Sequence, residues 1–173
     1  MKSIIRKIFN LRSNLSISFY IVDFIFRKIL RQNSEVEWAV HYTSTVVYPK
    51  NIVRGKNVYP GDSPGNYIQA MNGIEIGDDT NIGPNVGIIS ANHDLIDNTK
   101  HSSAKPVIIG KNCWIGMNAV ILPEVVLGDF TIIGANAVIT QSFPQGYCVI
   151  AGNPAKLIKQ LNPADCFNKK FTG

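Results

Sequence analysis

Thiol and imidazole ligands are scarce in this chain of 173 residues. Its three cysteines, Cys113, Cys148 and Cys166, are odd in number, widely spaced and without a C-x-x-C pair, which argues against a disulfide framework or a structural zinc site. A reducing cytoplasm fits that usage. The three histidines, His41, His93 and His101, do not make the close-set cluster of a histidine-ligated metal, so no metal is expected. Charge is also thin, at 17% of residues, and unevenly placed. Residues 1–31 hold seven basic side chains (Lys2, Arg6, Lys7, Arg12, Arg27, Lys28, Arg31) against Asp23 alone, leaving ten basic and eleven acidic residues for the remainder. The net charge of +5 therefore belongs mainly to the N-terminal arm, and no later stripe of Arg and Lys with interleaved aromatics points to nucleic acid. Nor is any apolar run long enough to span a bilayer. Residues 15–30 are the nearest case, but they carry Asp23, Arg27 and Lys28, where a spanning helix needs about 20 mostly apolar residues. No small-residue cleavage site of the signal-peptide kind follows them. The arm reads either as a helix packed on the body or on a neighbouring subunit, or as a basic amphipathic helix resting on the inner membrane surface.

What the chain has in abundance is a period of six. Val46, Ile52, Val58, Ile76, Ile82 and Ile88 share one register, with Pro64 and Ala70 as its weak members, so the phase is expected to survive that stretch. The register restarts at Ile109 and continues through Ile115, Ile121, Leu127, Ile133 and Ile139. Ile88 and Ile109 are out of phase, so a loop is expected to leave the regular structure over about residues 91–106. Glycine often follows the aliphatic residue (Gly77, Gly83, Gly110, Gly116, Gly128, Gly134), and four after it stands Thr80, Val86, Cys113, Ala119, Val125, Thr131 or Ala137. Neither an α-helix nor alternating strands can carry a period of six with glycine punctuation. Short parallel strands linked by tight turns can, each coil stacking on the last and burying the aliphatic ladder. The length suits one such domain with appendages. An N-terminal helical arm is expected over residues 1–40, the coil over 41–155, and a short C-terminal helix or tail over 156–173.

These units resemble the [LIV]-G-x-x-[small]-x repeats of the hexapeptide-repeat acyltransferase superfamily, over roughly residues 46–158. The resemblance implies an all-β fold, a left-handed parallel β-helix, and a homotrimer with active sites between neighbouring coils. Ser90-Ala91-Asn92-His93, followed by Ile109-Gly110-Lys111-Asn112-Cys113-Trp114-Ile115-Gly116, is similar to the S-x-x-H loop and I-G-x-x-x-W-I-G repeat of the galactoside and maltose O-acetyltransferases and related polysaccharide-biosynthesis enzymes. It implies transfer of an acetyl group from acetyl-CoA to a hydroxyl of a sugar or glycan precursor.

The site residues follow from both readings. Long loops on a rigid scaffold are where catalysis concentrates, and imidazole takes a proton near neutrality. The resemblance makes His93 the general base. Asp94 is a candidate to orient the ring or bind the acceptor, although an adjacent residue must turn back to reach it, and a backbone carbonyl is an equal candidate. His41 and His101 read as loop or interface residues. Trp114 is large for a solenoid face and should seek a neighbouring subunit or a ligand. The resemblance assigns it to the acetyl and pantetheine channel; a backbone N–H near Gly116 or Trp114 is the candidate to meet the oxyanion. Ala151-Gly152-Asn153-Pro154-Ala155-Lys156 matches the family's A-G-x-P-A-[KR] segment, which implies that Lys156, and with it Lys159, faces the CoA phosphates. Ala135 and Thr140 lie in runs that line the family's cofactor groove, where Gln141 replaces a frequent Lys. Asp62, Gln69 and Asn72 in the weak coils, with Asn92 and Asp94 in the loop, are the acceptor candidates. Cys113, at a small inward position, is expected to be buried rather than nucleophilic, which favours direct transfer in a ternary complex. Two other classes use such a coil. A zinc lyase of the γ-carbonic anhydrase type needs three converging histidines; a non-catalytic scaffold or sugar-binding trimer has no need of the segment around Lys156.

Overall fold

A computed structural model describes residues 15–167. Strands of two to five residues wind round three sheets in turn. Sheet A holds β1 (Thr45–Val47), β3 (Tyr67–Gln69), β6 (Gly87–Ile89), β9 (Val120–Ile121) and β12 (Val138–Ile139). Sheet B holds β2 (Ile52–Arg54), β4 (Ile74–Ile76), β7 (Val107–Ile109) and β10 (Val126–Leu127). Sheet C holds β5 (Asn81–Ile82), β8 (Trp114–Ile115), β11 (Thr131–Ile133), β13 (Cys148–Ala151) and β14 (Lys156–Gln160). Pairing is parallel throughout except between β13 and β14. The result is a three-faced prism with the aliphatic ladder buried inside it from Ile68 to Ile150.

In most turns of the coil two residues point inward, two positions apart, a large aliphatic one and usually a smaller one before it; β2 buries Ile52 alone and β14 buries none. On sheet C the smaller column reads Thr80, Cys113, Thr131, Cys148, all buried. Thr80 Oγ1 donates to the Gly110 carbonyl at 2.8 Å and accepts from the Cys113 N–H at 3.1 Å, so a polar atom inside the core is satisfied by the adjacent coil. At the corners the backbone reverses through a left-handed residue three after the aliphatic one: Asp79, Asn85, Asn112, Asn118, Glu124, Phe130 and Asn136 have φ of 53° to 64°. Asparagine is common there because its short polar side chain tolerates that conformation. The glycine beside it answers a different need. A Cβ on Gly110 would lie 2.5 Å from the Asp129 nitrogen of the next coil.

In two places the architecture departs from the sequence expectation. Val46 pairs with Ile68 and Ile68 with Ile88, spacings of 22 and 20 residues, whereas Ile121 and Ile139 are 18 apart. The first coils therefore carry extra corner residues, Pro64 is exposed, and the ladder position of that coil is Ile68. The segment from Lys156 begins as strand β14, which folds back on β13, and helix is confined to α2 (Pro163–Phe167). The expected excursion is present, between Ile89 and Val107.

At the other end, α1 (Ile17–Phe24) runs into a π-helical turn, Ile25–Ile29. Buried Asp23 accepts from Arg27 at 2.7 and 3.0 Å and from the Val40 N–H at 2.9 Å, while Arg27 also donates to the Val36 carbonyl. The Asn33 amide donates to the Ser44 carbonyl, and its oxygen accepts from the Val46 N–H, each at 2.8 Å. Trp38 donates to the Pro60 carbonyl at 2.8 Å and carries the Arg54 guanidinium on its ring. One side of the arm thus packs on the first coil. No helix among the described residues is long and apolar enough to cross a membrane.

Candidate active site

Because β6 lies in sheet A and β7 in sheet B, the excursion leaves from the A–B corner. Its base is clamped from the coil below. The Asn72 amide donates to the Ser90 carbonyl at 3.0 Å and to the Ser102 carbonyl at 3.1 Å, tying the two ends together, and Ser90 Oγ accepts from the Asn72 N–H at 2.9 Å. Gln69, buried, accepts from the Ser90 N–H through its side-chain oxygen. Above the clamp the chain pairs with itself: Ser102 N–H donates to the Asn92 carbonyl, Asp94 N–H to the Lys100 carbonyl, each at 2.9 Å, and His93 faces His101 in an antiparallel bridge. The finger ends in a turn in which Asp94 Oδ1 accepts from the N–H groups of Ile96 and Asp97, both at 2.9 Å. Those two bonds favour the carboxylate and hold its pKa below the ordinary value. Leu95 and Ile96 at the tip are almost wholly exposed.

His93 is exposed on this finger, and its ring has no hydrogen-bond partner among the described residues. Its neighbour is the His101 ring, with centroids 4.4 Å apart and planes at 35°. Sequence reasoning set His101 aside as a bystander. The legible signal was the turn-forming run Asp97-Asn98-Thr99 midway between two positions that pair in a hairpin. Asp94 spends its Oδ1 on the turn and is not hydrogen-bonded to His93; Asn92 is exposed beside it. Of the acceptor candidates, Gln69 and Asn72 therefore act on the loop base. Asp62 lies elsewhere, half-buried in a cavity with Asn57, Tyr59, Thr80 and Asn81.

The remaining candidates fall into two groups. Thr140, exposed at the end of β12, shares the A–B corner with the finger. Trp114 stands at the start of β8 on sheet C, the face opposite that corner, and is 60% exposed. Register places Asn81, Trp114, Ile132, Val149 and Lys159 in one outward row along the prism, and Lys156 beside Ala151 at its upper end. Gly116 and Ala135 sit at the C–A corner where that face turns. A single chain thus holds the imidazole and the Trp114 row apart. Cys113, inside the prism beneath Trp114, has its thiol pushed up to about 11, chiefly by burial, which leaves almost no thiolate near neutral pH. Among the described residues no group of three His, Cys, Asp or Glu side chains is placed to hold a metal.

Stacked six-residue turns with left-handed corners and one clamped excursion define the hexapeptide-repeat class. Residues 106–141 match the family described as bacterial transferase hexapeptide (six repeats). The chain is 32% identical over 137 residues to galactoside O-acetyltransferase of Escherichia coli K12, covering 78% of this chain and 64% of that protein. Among solved structures, a galactoside acetyltransferase in complex with coenzyme A superposes with a TM-score of 0.68 at 26% identity, over 87% of this chain and 82% of that one. A maltose O-acetyltransferase from Clostridium difficile 630 gives 0.60 at 34% identity, over 66% and 62%. The chain folds as a left-handed parallel β-helix of six-residue repeats and is similar to the galactoside- and maltose-type O-acetyltransferases. It spans between 44% and 64% of the length of the curated relatives it matches.

Proposed function

We propose that this protein is an acetyl-CoA-dependent O-acetyltransferase acting on a hydroxyl of a sugar or glycan precursor. The observation that carries the reading is the clamped finger, which holds an exposed imidazole outside the prism at the long excursion between Ile89 and Val107. Two further features support it. The outward row on sheet C joins an indole, two aliphatic side chains and a lysine over three strand spacings, about 14 Å. That order suits an extended thioester arm with phosphates at its far end: Trp114 beside the acetyl end, Ile132 and Val149 along the arm, Lys159 and Lys156 toward the phosphates. The second feature is the opposition of corner and face. That opposition suits a homotrimer in which the A–B corner of one copy meets the C face of the next, with sites between copies.

In this reading the acceptor hydroxyl gives its proton to His93 as its oxygen bonds the thioester carbonyl carbon. Backbone N–H groups at Gly116 or Trp114 meet the oxyanion, the C–S bond breaks, and the departing thiolate takes up the proton. His101, against the imidazole face, steadies the ring. The high thiol pKa of Cys113 keeps it out of a covalent route. The acyl donor fits a cytoplasmic compartment, with membrane contact through the arm of residues 1–31, of which residues 1–14 lie outside the described residues.

The test is transfer of labelled acetyl from acetyl-CoA to a panel of sugars. Wild type transfers label, and His93→Ala loses about a hundredfold or more in rate while still binding acetyl-CoA. Equal rates in the two proteins, or label found on the protein after rapid quench, contradict the reading.

A further inference from the structure

The arm has two unlike faces. Phe19, Asp23, Phe26 and Arg27 face the body: Asp23 and Arg27 bond Val40 and Val36, and the rings of Phe19 and Phe26 lie 6.0 and 4.9 Å from those of His41 and Tyr42. The opposite face carries Ile21, Phe24, Ile25, Lys28 and Ile29, spaced i, i+3, i+4, i+7, i+8, and all are exposed, Phe24 at 58% and Ile29 at 63%. Because the inner face is pinned by the buried ion pair, the apolar face is held outward. Charge selects its occupant. Asp23, the one acid of residues 1–31, is neutralised by Arg27, so Lys28 and Arg31 remain, with Lys2, Arg6, Lys7 and Arg12 in the preceding segment. The next acids in sequence, Glu35 and Glu37, line a cavity with Lys50, Arg54, Lys56 and Asp78 on the first coils. A second copy on this face would bring like charges together. An anionic surface complements them.

We propose that the outward face of α1 and its π-helical turn binds a bilayer surface rich in anionic headgroups, with Phe24 and Ile29 inserted and Lys28 and Arg31 at headgroup level. This names the lipid partner of the membrane contact proposed above and does not depend on acetyl transfer. The test sediments the full chain with vesicles of phosphatidylcholine alone or mixed with phosphatidylglycerol. Wild type pellets with the mixed vesicles, less so in high salt, and weakly with phosphatidylcholine. Phe24→Glu with Ile29→Glu lowers the partition coefficient about a hundredfold, and Lys28→Gln about fivefold. Both positions in the double variant are exposed, so its thermal midpoint and its calorimetric affinity for acetyl-CoA match wild type. Equal pelleting of variant and wild type, or no pelleting of wild type with anionic vesicles, overturns the proposal. So does a fall in assembly mass in the double variant, which would make a second copy the occupant. The acetyl-CoA measurement stands apart: lost binding in wild type would count against the transferase reading alone.

Discussion

Replacing Trp114 by alanine tests whether the outward row on sheet C is a ligand track. The indole is 60% exposed, on a strand paired on both sides, with its neighbours Ile115 and Cys113 turned inward. A tryptophan side chain offers up to about 250 Å², of which about 150 Å² here faces solvent. A thioester arm lying across half of that removes about 75 Å² from water, worth about 1.9 kcal/mol at about 25 cal/mol per Å². Calorimetric titration of acetyl-CoA should then show Kd raised about 25-fold in Trp114→Ala. Because the side chain points away from the aliphatic ladder, the thermal midpoint should not move. A Kd within about twofold of wild type refutes the channel assignment. A lowered midpoint together with a smaller assembly mass would show that the indole packs on a neighbouring copy instead.

Ile115 is fully buried between Ile82 and Ile133, so Ile115→Ala should cost about 2–5 kcal/mol in chemical unfolding, while Val53→Ala on the outer surface should stay within about 0.5 kcal/mol. Alkaline pH should weaken the fold through Cys113. Its thiol pKa is about 11 in the folded chain against 9.0, so the folded state holds the proton more tightly. That contribution, at most about 2.7 kcal/mol, is complete below pH about 9 and is lost as pH rises to about 11. Cys113→Ala should flatten the pH dependence of the midpoint over that window. Asn118 sits at φ 60°, so Asn118→Val should destabilise by about 1–2 kcal/mol and Asn118→Gly by less, measured by denaturant titration. Asn72→Ala should release the finger base, raising hydrogen exchange and protease cleavage within residues 92–102 and slowing transfer, with little change in the global midpoint.

The ladder was legible because burial of one aliphatic residue per side imposes a period that sequence carries openly, and the broken phase after Ile88 located the finger. The first coils were misread for an arithmetical reason. A surplus of four residues between Val46 and Ile68 and of two between Ile68 and Ile88 together make six, so the phase looks continuous from end to end although Pro64 is not in the ladder. Corner asparagines such as Asn112 and Asn136 lay in plain view at three after the aliphatic residue, but they fix backbone conformation rather than burial and escape a hydrophobic pattern. The loop clamp was hidden because Asn72 and Ser102 are 30 residues apart and meet only through coil stacking. The sequence singled out His93 and Trp114 as candidates; their placement on opposed parts of the prism depends on which sheet each strand joins.

A stack of parallel coils is open-ended by nature, since the last rung offers the next chain the same unpaired backbone that each coil offered its successor. Here β14 reverses direction and lays an exposed strand bearing Lys156 and Lys159 along the outer edge of sheet C. Antiparallel pairing breaks the register that another coil would need, and the lysines repel a like edge. The same five residues proposed to face the donor phosphates therefore also act against end-to-end polymerisation, so a variant that loses β14 should form more fibrils than the intact chain.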